Sequence, residues 1–99
     1  MGAIAFADVT HAIVLVKATH EALPTLGGTL ADVEGVAEAY SVTGDWDFVA
    51  MVRVPHQEQL ADVVTGGLGR IPGIERTQTM MAFEVFSQHD LEAMFSIGE

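Results

Sequence analysis

The chain has 99 residues, which is enough for one domain, and 49% of them are hydrophobic. It contains no cysteine, so disulfides, thiolate nucleophiles and thiolate metal sites are excluded. Its formal net charge of −10, with only four basic residues, opposes binding to nucleic acid or to anionic lipid.

The chain shows no export or membrane signal. No run reaches the roughly 18 apolar residues of a membrane span, and Asp8 interrupts the stretch where a signal peptide would have its apolar core. We therefore expect a cytoplasmic protein with one domain over 1–99: a leader 1–10, a core 11–86 and a short C-terminal helix within 87–99. Its hydrophobic content exceeds what one small globule hides easily, which favours self-association.

An internal repeat runs along the chain with a constant offset of 38 residues. The matching pairs are Leu30 and Leu68, Val33 and Ile71, Gly35 and Gly73, and Val36 and Ile74. The same offset places the β-branched pair Val14 and Val16 on Val52 and Val54. A period of this length fits one strand, one helix and the start of the next strand, so two copies indicate a duplicated half-fold.

The first copy begins with His11–Ala18, an almost unbroken apolar run typical of a buried central strand. A helix is expected to begin between Thr19 and Pro24 and to end before Gly35, which suits a C-terminal cap. Val36–Thr43 is the predicted second strand.

The second copy begins with Trp46–Val54, a predicted strand with alternating apolar residues. Pro55 opens a helix whose apolar stripe ends at Leu68. Ile74–Phe86 is predicted as a long last strand, and Ser87–Ile97 as a short helix.

The predicted order is β-α-β-β-α-β, an α+β fold of the ferredoxin-like kind. It forms a four-stranded antiparallel sheet with two helices on one face. Because alternate residues of all four strands are apolar, we expect the other face to be covered by a second copy, as in a dimeric α/β barrel.

The turn between the middle strands carries the clearest candidate site residues: Gly44, Asp45 and Asp47. Carboxylates accept hydrogen bonds from a ligand ammonium, and backbone N–H groups beside a glycine can bind its carboxylate. The simpler interpretation is a tight surface turn with solvated carboxylates.

Three hydroxyl-bearing residues are weaker candidates. Thr77 and Thr79 share one face of the last strand, and Tyr40 lies on the second strand. All three also fit ordinary strand composition. No two of the four histidines have the spacing of metal ligands on one helix face, and no nucleophile or phosphate-loop motif occurs, so neither a metal nor a cofactor is expected.

These motifs resemble a known family. Val36–Phe48, with its Thr-Gly-x-x-Asp turn, followed by Ile71–Ile74 and the pair Thr77 and Thr79, is similar to the effector-binding (RAM) domain of Lrp/AsnC, or feast/famine, transcriptional regulators. The resemblance covers roughly His11 to Phe86.

The resemblance implies an oligomeric sensor that is not an enzyme. In this family the domain dimerises through its sheet, dimers assemble into rings, commonly octamers, and effectors, usually amino acids, bind between dimers. The implied contacts lie at Gly44–Asp47 and at Thr77 and Thr79, with Tyr40 nearby.

One departure from the family stands out. About ten residues precede the first strand, which leaves no room there for the family's helix-turn-helix. The sequence therefore resembles a stand-alone or excised sensor, which would act on transcription by binding effector and joining full-length relatives. The alternatives are a small dimeric α/β-barrel enzyme, such as a monooxygenase or isomerase, and an amino-acid-binding module of the ACT type, whose ligand loop would follow the first strand.

Overall fold

The computed structural model describes residues 9–86. The predicted C-terminal helix Ser87–Ile97 and most of the leader lie outside them. Four strands and two main helices follow one another in the order β-α-β-β-α-β: β1 (Thr10–Ala18), α1 (Leu23–Ala31), β2 (Val36–Ser41), β3 (Phe48–Val54), α2 (Gln57–Ala61) and β4 (Ile74–Met81). A 3₁₀ turn, His20–Ala22, precedes α1. After α2 the chain continues as a π-helix, Asp62–Gly67, and a 3₁₀ turn, Leu68–Arg70.

The four strands form one antiparallel sheet in the order β2-β3-β1-β4. The two longest apolar runs, β1 and β3, occupy its centre and pair from Thr10 with Val54 to Val16 with Phe48. This arrangement confirms the predicted ferredoxin-like fold. It leaves β2 and β4 as the two edges of the sheet.

The core lies between the sheet and the helices. Alternate residues of β1 and β3 point into it, and residues that are directly paired in antiparallel strands share a face. The buried apolar side chains are Ala12, Val14, Val16, Ala18, Leu26, Leu30, Phe48, Ala50, Val52, Val54, Leu60, Val63 and Leu68. The apolar residues of both helical segments therefore face the sheet, which includes the stripe predicted to end at Leu68.

The opposite face of the sheet, which we call the open face, is apolar but only half-buried. Its central residues are Ile13 and Leu15 on β1 and Val49 and Met51 on β3. None of the helices of residues 9–86 covers it, and none of them is long and apolar enough to span a membrane. Monomers rarely leave such a contiguous apolar surface without a partner.

Several predicted boundaries are wrong. The second strand ends at Ser41 and not at Thr43, the third begins at Phe48 and not at Trp46, and the second helix begins at Gln57 and not at Pro55.

The last strand ends at Met81 and not at Phe86, because its partner β1 begins at Thr10 and offers almost no further backbone groups to pair with. The Ala82 N–H still donates to the His11 carbonyl at 2.9 Å, but Phe83 is 98% exposed. The predicted second helix is also not uniform, since it changes to a π-helix at Asp62. The consecutive glycines of this segment weaken the α-helical hydrogen-bond pattern.

Candidate functional site

The turn between β2 and β3 is short and closed. The Val42 N–H donates to the Asp47 carbonyl at 3.0 Å, so the hairpin continues to pair just beyond both strands. Gly44 has a φ of +103°, a conformation that only glycine adopts without strain. A Cβ at Gly44 would meet nothing within 4 Å, so its backbone faces open space.

Asp47 connects this turn to the central strand. Its Oδ2 accepts a hydrogen bond from the Ala18 N–H at 2.9 Å, and its own N–H donates to the Val16 carbonyl at 2.9 Å. The β1–β4 register also shifts between Lys17 and Ala18, next to the N–H that donates to Asp47. One carboxylate oxygen of Asp47 therefore has a structural role, which the sequence did not indicate.

Lys17 holds the other side of the turn. Its Nζ donates to the Asp45 carbonyl oxygen at 3.0 Å and lies 3.9 Å from Asp47 Oδ2. The carboxylate of Asp45 takes no part in this contact, and Asp45 is exposed. The turn thus presents the solvent-facing carboxylate of Asp45 and the carboxylate of Asp47, of which one oxygen already accepts a hydrogen bond within the protein.

A stacked pair lies beside the turn. The Arg76 guanidinium is 4.8 Å from the centroid of the Trp46 ring, a cation–π geometry. Arg76 pairs in register with Lys17, so two of the four basic residues of this acidic chain meet at one end of the sheet. Sequence reasoning missed both. Strand pairing was the only signal that could have placed them together.

The remaining candidates lie apart from one another. Tyr40 pairs with Val49 on the open face of edge strand β2 and is 51% exposed. Thr77 pairs with Val16, so it lies on the helix side of the other edge strand, and Thr79 shares that side. The two edges are three strand spacings apart, about 14 Å. One chain therefore does not bring all six predicted residues into one pocket.

The described residues contain no group of three or more His, Cys, Asp or Glu side chains that could hold a metal ion. They hold two salt bridges, Lys17–Asp47 at the turn and Arg53–Glu38 near the far end of the sheet, where Nη2 and Oε1 are 3.2 Å apart. The groups that the turn offers to a ligand are therefore backbone N–H groups and carboxylates, and not a metal site.

Comparison with known proteins gives a consistent result. Residues 11–91 match the family of the Lrp/AsnC ligand binding domain. The chain is 31% identical over 77 residues to the HTH-type transcriptional regulator FL11 of Pyrococcus horikoshii, covering 78% of this chain and 50% of the relative. It thus spans about half the length of the curated relatives it matches.

Solved structures agree with this match. TTHA0845 from Thermus thermophilus has a TM-score of 0.74 at 42% identity and covers 80% of this chain and 99% of that one. The Neisseria meningitidis transcriptional regulator NMB0573, solved in complex with L-Met, has a TM-score of 0.72 at 12% identity, covering 88% of this chain and 56% of that one, and so shares the fold. FL11 and NMB0573 are both transcriptional regulators and not enzymes. The chain belongs to the Lrp/AsnC ligand-binding domain family.

Proposed function

We propose that this chain binds an amino acid as a regulatory effector and acts in transcription regulation without contacting nucleic acid itself. Family membership supports an effector-binding role, and the L-Met bound to the fold neighbour NMB0573 supports the ligand class. The net charge of −10 argues against direct contact with nucleic acid. A regulatory domain of this kind works in the cytoplasm.

The turn Gly44–Asp47 is the observation that carries the proposal. Contacts from Lys17 and Ala18 hold it in one conformation, while the Gly44 backbone and the Asp45 carboxylate stay accessible. A pre-organised turn loses little conformational entropy when it binds. The ammonium of an amino acid pairs with Asp45 and with the remaining oxygen of Asp47, and its carboxylate accepts from backbone N–H groups.

The site is completed between chains. Tyr40 lies on one edge and face of the sheet, and Thr77 and Thr79 lie on the other edge and face. In our proposal the turn of one subunit meets the threonines or the tyrosine of a neighbour. Effector binding then changes the assembly, and a ring of dimers, such as an octamer, is the form we expect.

The dimer forms through the open face. Ile13, Leu15, Val49 and Met51 provide its apolar centre. Leu15→Asp is expected to give a folded monomer in light scattering, because it places a charge in that centre. Leu23→Asp, at an exposed apolar residue on the helix side, is the matched control and should leave the mass unchanged. A wild-type monomer at micromolar concentration would contradict the proposal.

A thermal-shift screen over the twenty amino acids tests the ligand class. An effector at 100 times its Kd stabilises the protein by about 2.7 kcal/mol. Asp45→Asn should remove the shift, because it replaces the accessible carboxylate. Glu58→Gln, at an exposed carboxylate of α2 that belongs neither to the turn nor to the lining of a cavity, should keep it. Absence of a shift with all twenty amino acids, or a full shift in Asp45→Asn, would overturn the assignment.

Co-purification tests the regulatory route. The chain should be captured by a tagged full-length relative such as FL11, through mixed dimers, and the amount captured should change with effector. Leu15→Asp should not be captured, since its open face no longer pairs. Equal capture of wild type and Leu15→Asp would show that the open face does not mediate the contact.

A further inference from the structure

A second concave site lies at the end of the sheet opposite the turn. It is a cleft of about 520 Å³ between the end of α1, the end of β3 and the π-helix. Six residue steps of β3 separate Phe48, beside the turn, from Val54 in the cleft, which is about 20 Å along a strand. The cleft is therefore distinct from the proposed effector site.

The cleft has an apolar floor. Val33, Val54 and Val63 line it, and Val54 and Val63 are nearly fully buried. Its volume is within the roughly 300–1,000 Å³ of small-molecule sites. A short aliphatic chain would fill the floor without needing polar partners there.

The rim of the cleft carries charges that do not cancel. Arg53 lines it, but its guanidinium already pairs with Glu38. Glu34 and Asp62 also line it, are exposed, and take no part in the salt bridges formed within residues 9–86. With Arg53 offset by Glu38, two carboxylates remain above an apolar floor.

The backbone around the cleft is closely packed. A Cβ at Gly67 would lie 2.8 Å from Val33 Cγ1, and a Cβ at Gly35 would lie 2.6 Å from Val63 Cγ2. The π-helix begins at Asp62 and includes Val63 and Gly67, so the irregular segment itself forms one wall. Single π-turns occur frequently at functional sites.

We propose that this cleft is a second ligand site, which takes a small aliphatic ammonium compound. The ammonium group pairs with Glu34 and Asp62, and the aliphatic chain packs on Val33, Val54 and Val63. The strong negative charge of the protein raises the local concentration of such cations. Two sources share this chemistry, a simple amine and an α-amino acid. They differ in a carboxylate, to which Arg53 can donate from the guanidinium nitrogens other than the Nη2 that pairs with Glu38.

Three probes of matched size test the proposal. n-Butylamine carries the ammonium alone, L-norvaline carries the same ammonium and chain with a carboxylate, and pentanoate carries the carboxylate alone. Methyl NMR of Val33, Val54 and Val63 reports binding at the cleft directly. We expect both ammonium probes to shift these signals and pentanoate to leave them unchanged. At least tenfold tighter binding of norvaline would identify the amino-acid source, and equal binding would identify the amine.

Variants separate this site from the turn. Glu34→Gln and Asp62→Asn should each weaken n-butylamine binding by about tenfold or more, because a charge-assisted hydrogen bond is lost. Glu75→Gln, an exposed carboxylate on β4, and Asp45→Asn at the turn should bind as wild type. Circular dichroism checks that every variant is folded. Unshifted valine methyls with both ammonium probes, or unchanged affinity in both cleft variants, would overturn the proposal even if the turn binds its effector.

Discussion

The two halves of the molecule, 10–41 and 48–81, repeat a buried framework and differ around it. Leu30 and Leu68 are equivalent by sequence, and both are fully buried. Gly35 and Gly73 are likewise equivalent, and their φ angles are +97° and +95°. The duplication therefore preserves the residues that pack a helix on the sheet and the glycines that return the chain to it.

The helices are the first difference between the halves. α1 is a regular α-helix over Leu23–Ala31, whereas its counterpart divides into α2, a π-helix and a 3₁₀ turn. The π-helix also forms a wall of the cleft. The change of helix type does not open the core, because Leu60, Val63 and Leu68 are still buried against the sheet.

The pairing of the edge strands is the second difference. Val14 pairs with Thr79. The 38-residue offset relates Val14 to Val52 and Thr79 to Ser41, so an exact repeat would pair Val52 with Ser41. In the structure Val52 pairs with Val36, and Ser41 pairs with Phe48. The short turn fixes the β2–β3 register, and β4 has no such constraint. The partner of Ser41 has thus moved along β3 from Val52 to Phe48, which is an even number of residues. Because side chains alternate between the two faces of a strand, the same side chains still face the helices.

The third difference lies in the segment after each edge strand. β2 leads into the polar turn with Gly44, Asp45 and Asp47, while the equivalent positions after β4 are Ala82, Phe83 and Val85. Phe83 is 98% exposed. The halves therefore share their cores and diverge in the second helix and in the segment after each edge strand, which is where our two proposed ligand sites lie.

The largest expected effect tests the shared core. Leu30→Ala and Leu68→Ala should each lower the free energy of unfolding by about 2–5 kcal/mol, because both side chains are fully buried and truncation leaves a cavity. Urea denaturation of the two variants measures this. A loss below about 1 kcal/mol for either one would show that the halves are not equivalent in packing.

A smaller effect tests the paired glycines. Gly35→Ala and Gly73→Ala should each cost roughly 2–4 kcal/mol, since a Cβ meets Val63 Cγ2 at 2.6 Å or Ala22 Cβ at 2.5 Å at a positive φ. Gly44→Ala is the matched control. It has the same kind of φ but open space, so it should cost only about 1–2 kcal/mol. Equal losses at all three positions would mean that the close contacts add nothing to the strain.

The smallest effect concerns the turn, which the second half lacks. Asp47→Ala should lower stability by about 1–3 kcal/mol, because the Ala18 N–H loses its acceptor. Asp47→Asn keeps an oxygen there and should cost less, and Asp45→Ala should stay within about 0.5 kcal/mol. Thermal unfolding without ligand measures all three. A neutral Asp47→Ala would show that the Asp47–Ala18 contact does not stabilise the turn, and would restore a purely ligand-binding role for Asp47.

The candidate site was only partly predictable from the sequence. Gly44, Asp45 and Asp47 could be found because a tight turn needs glycine and because adjacent residues stay adjacent in space. The contacts of Lys17 and Arg76 with this turn could not, since they depend on which strands pair and in which register. Nor could the separation of Tyr40 from Thr77, which follows from the strand order β2-β3-β1-β4.

The sequence by itself determined the fold, because hydrophobic period and the 38-residue repeat are local patterns that specify each strand, each helix and the face it buries. Besides the contacts of the turn and the separation of the edge strands, only the tertiary structure decided the end of β4 at Met81, the structural use of one Asp47 oxygen, and the cleft beside the π-helix. Each depends on where a distant segment lies. No pattern within one segment records the position of its partners.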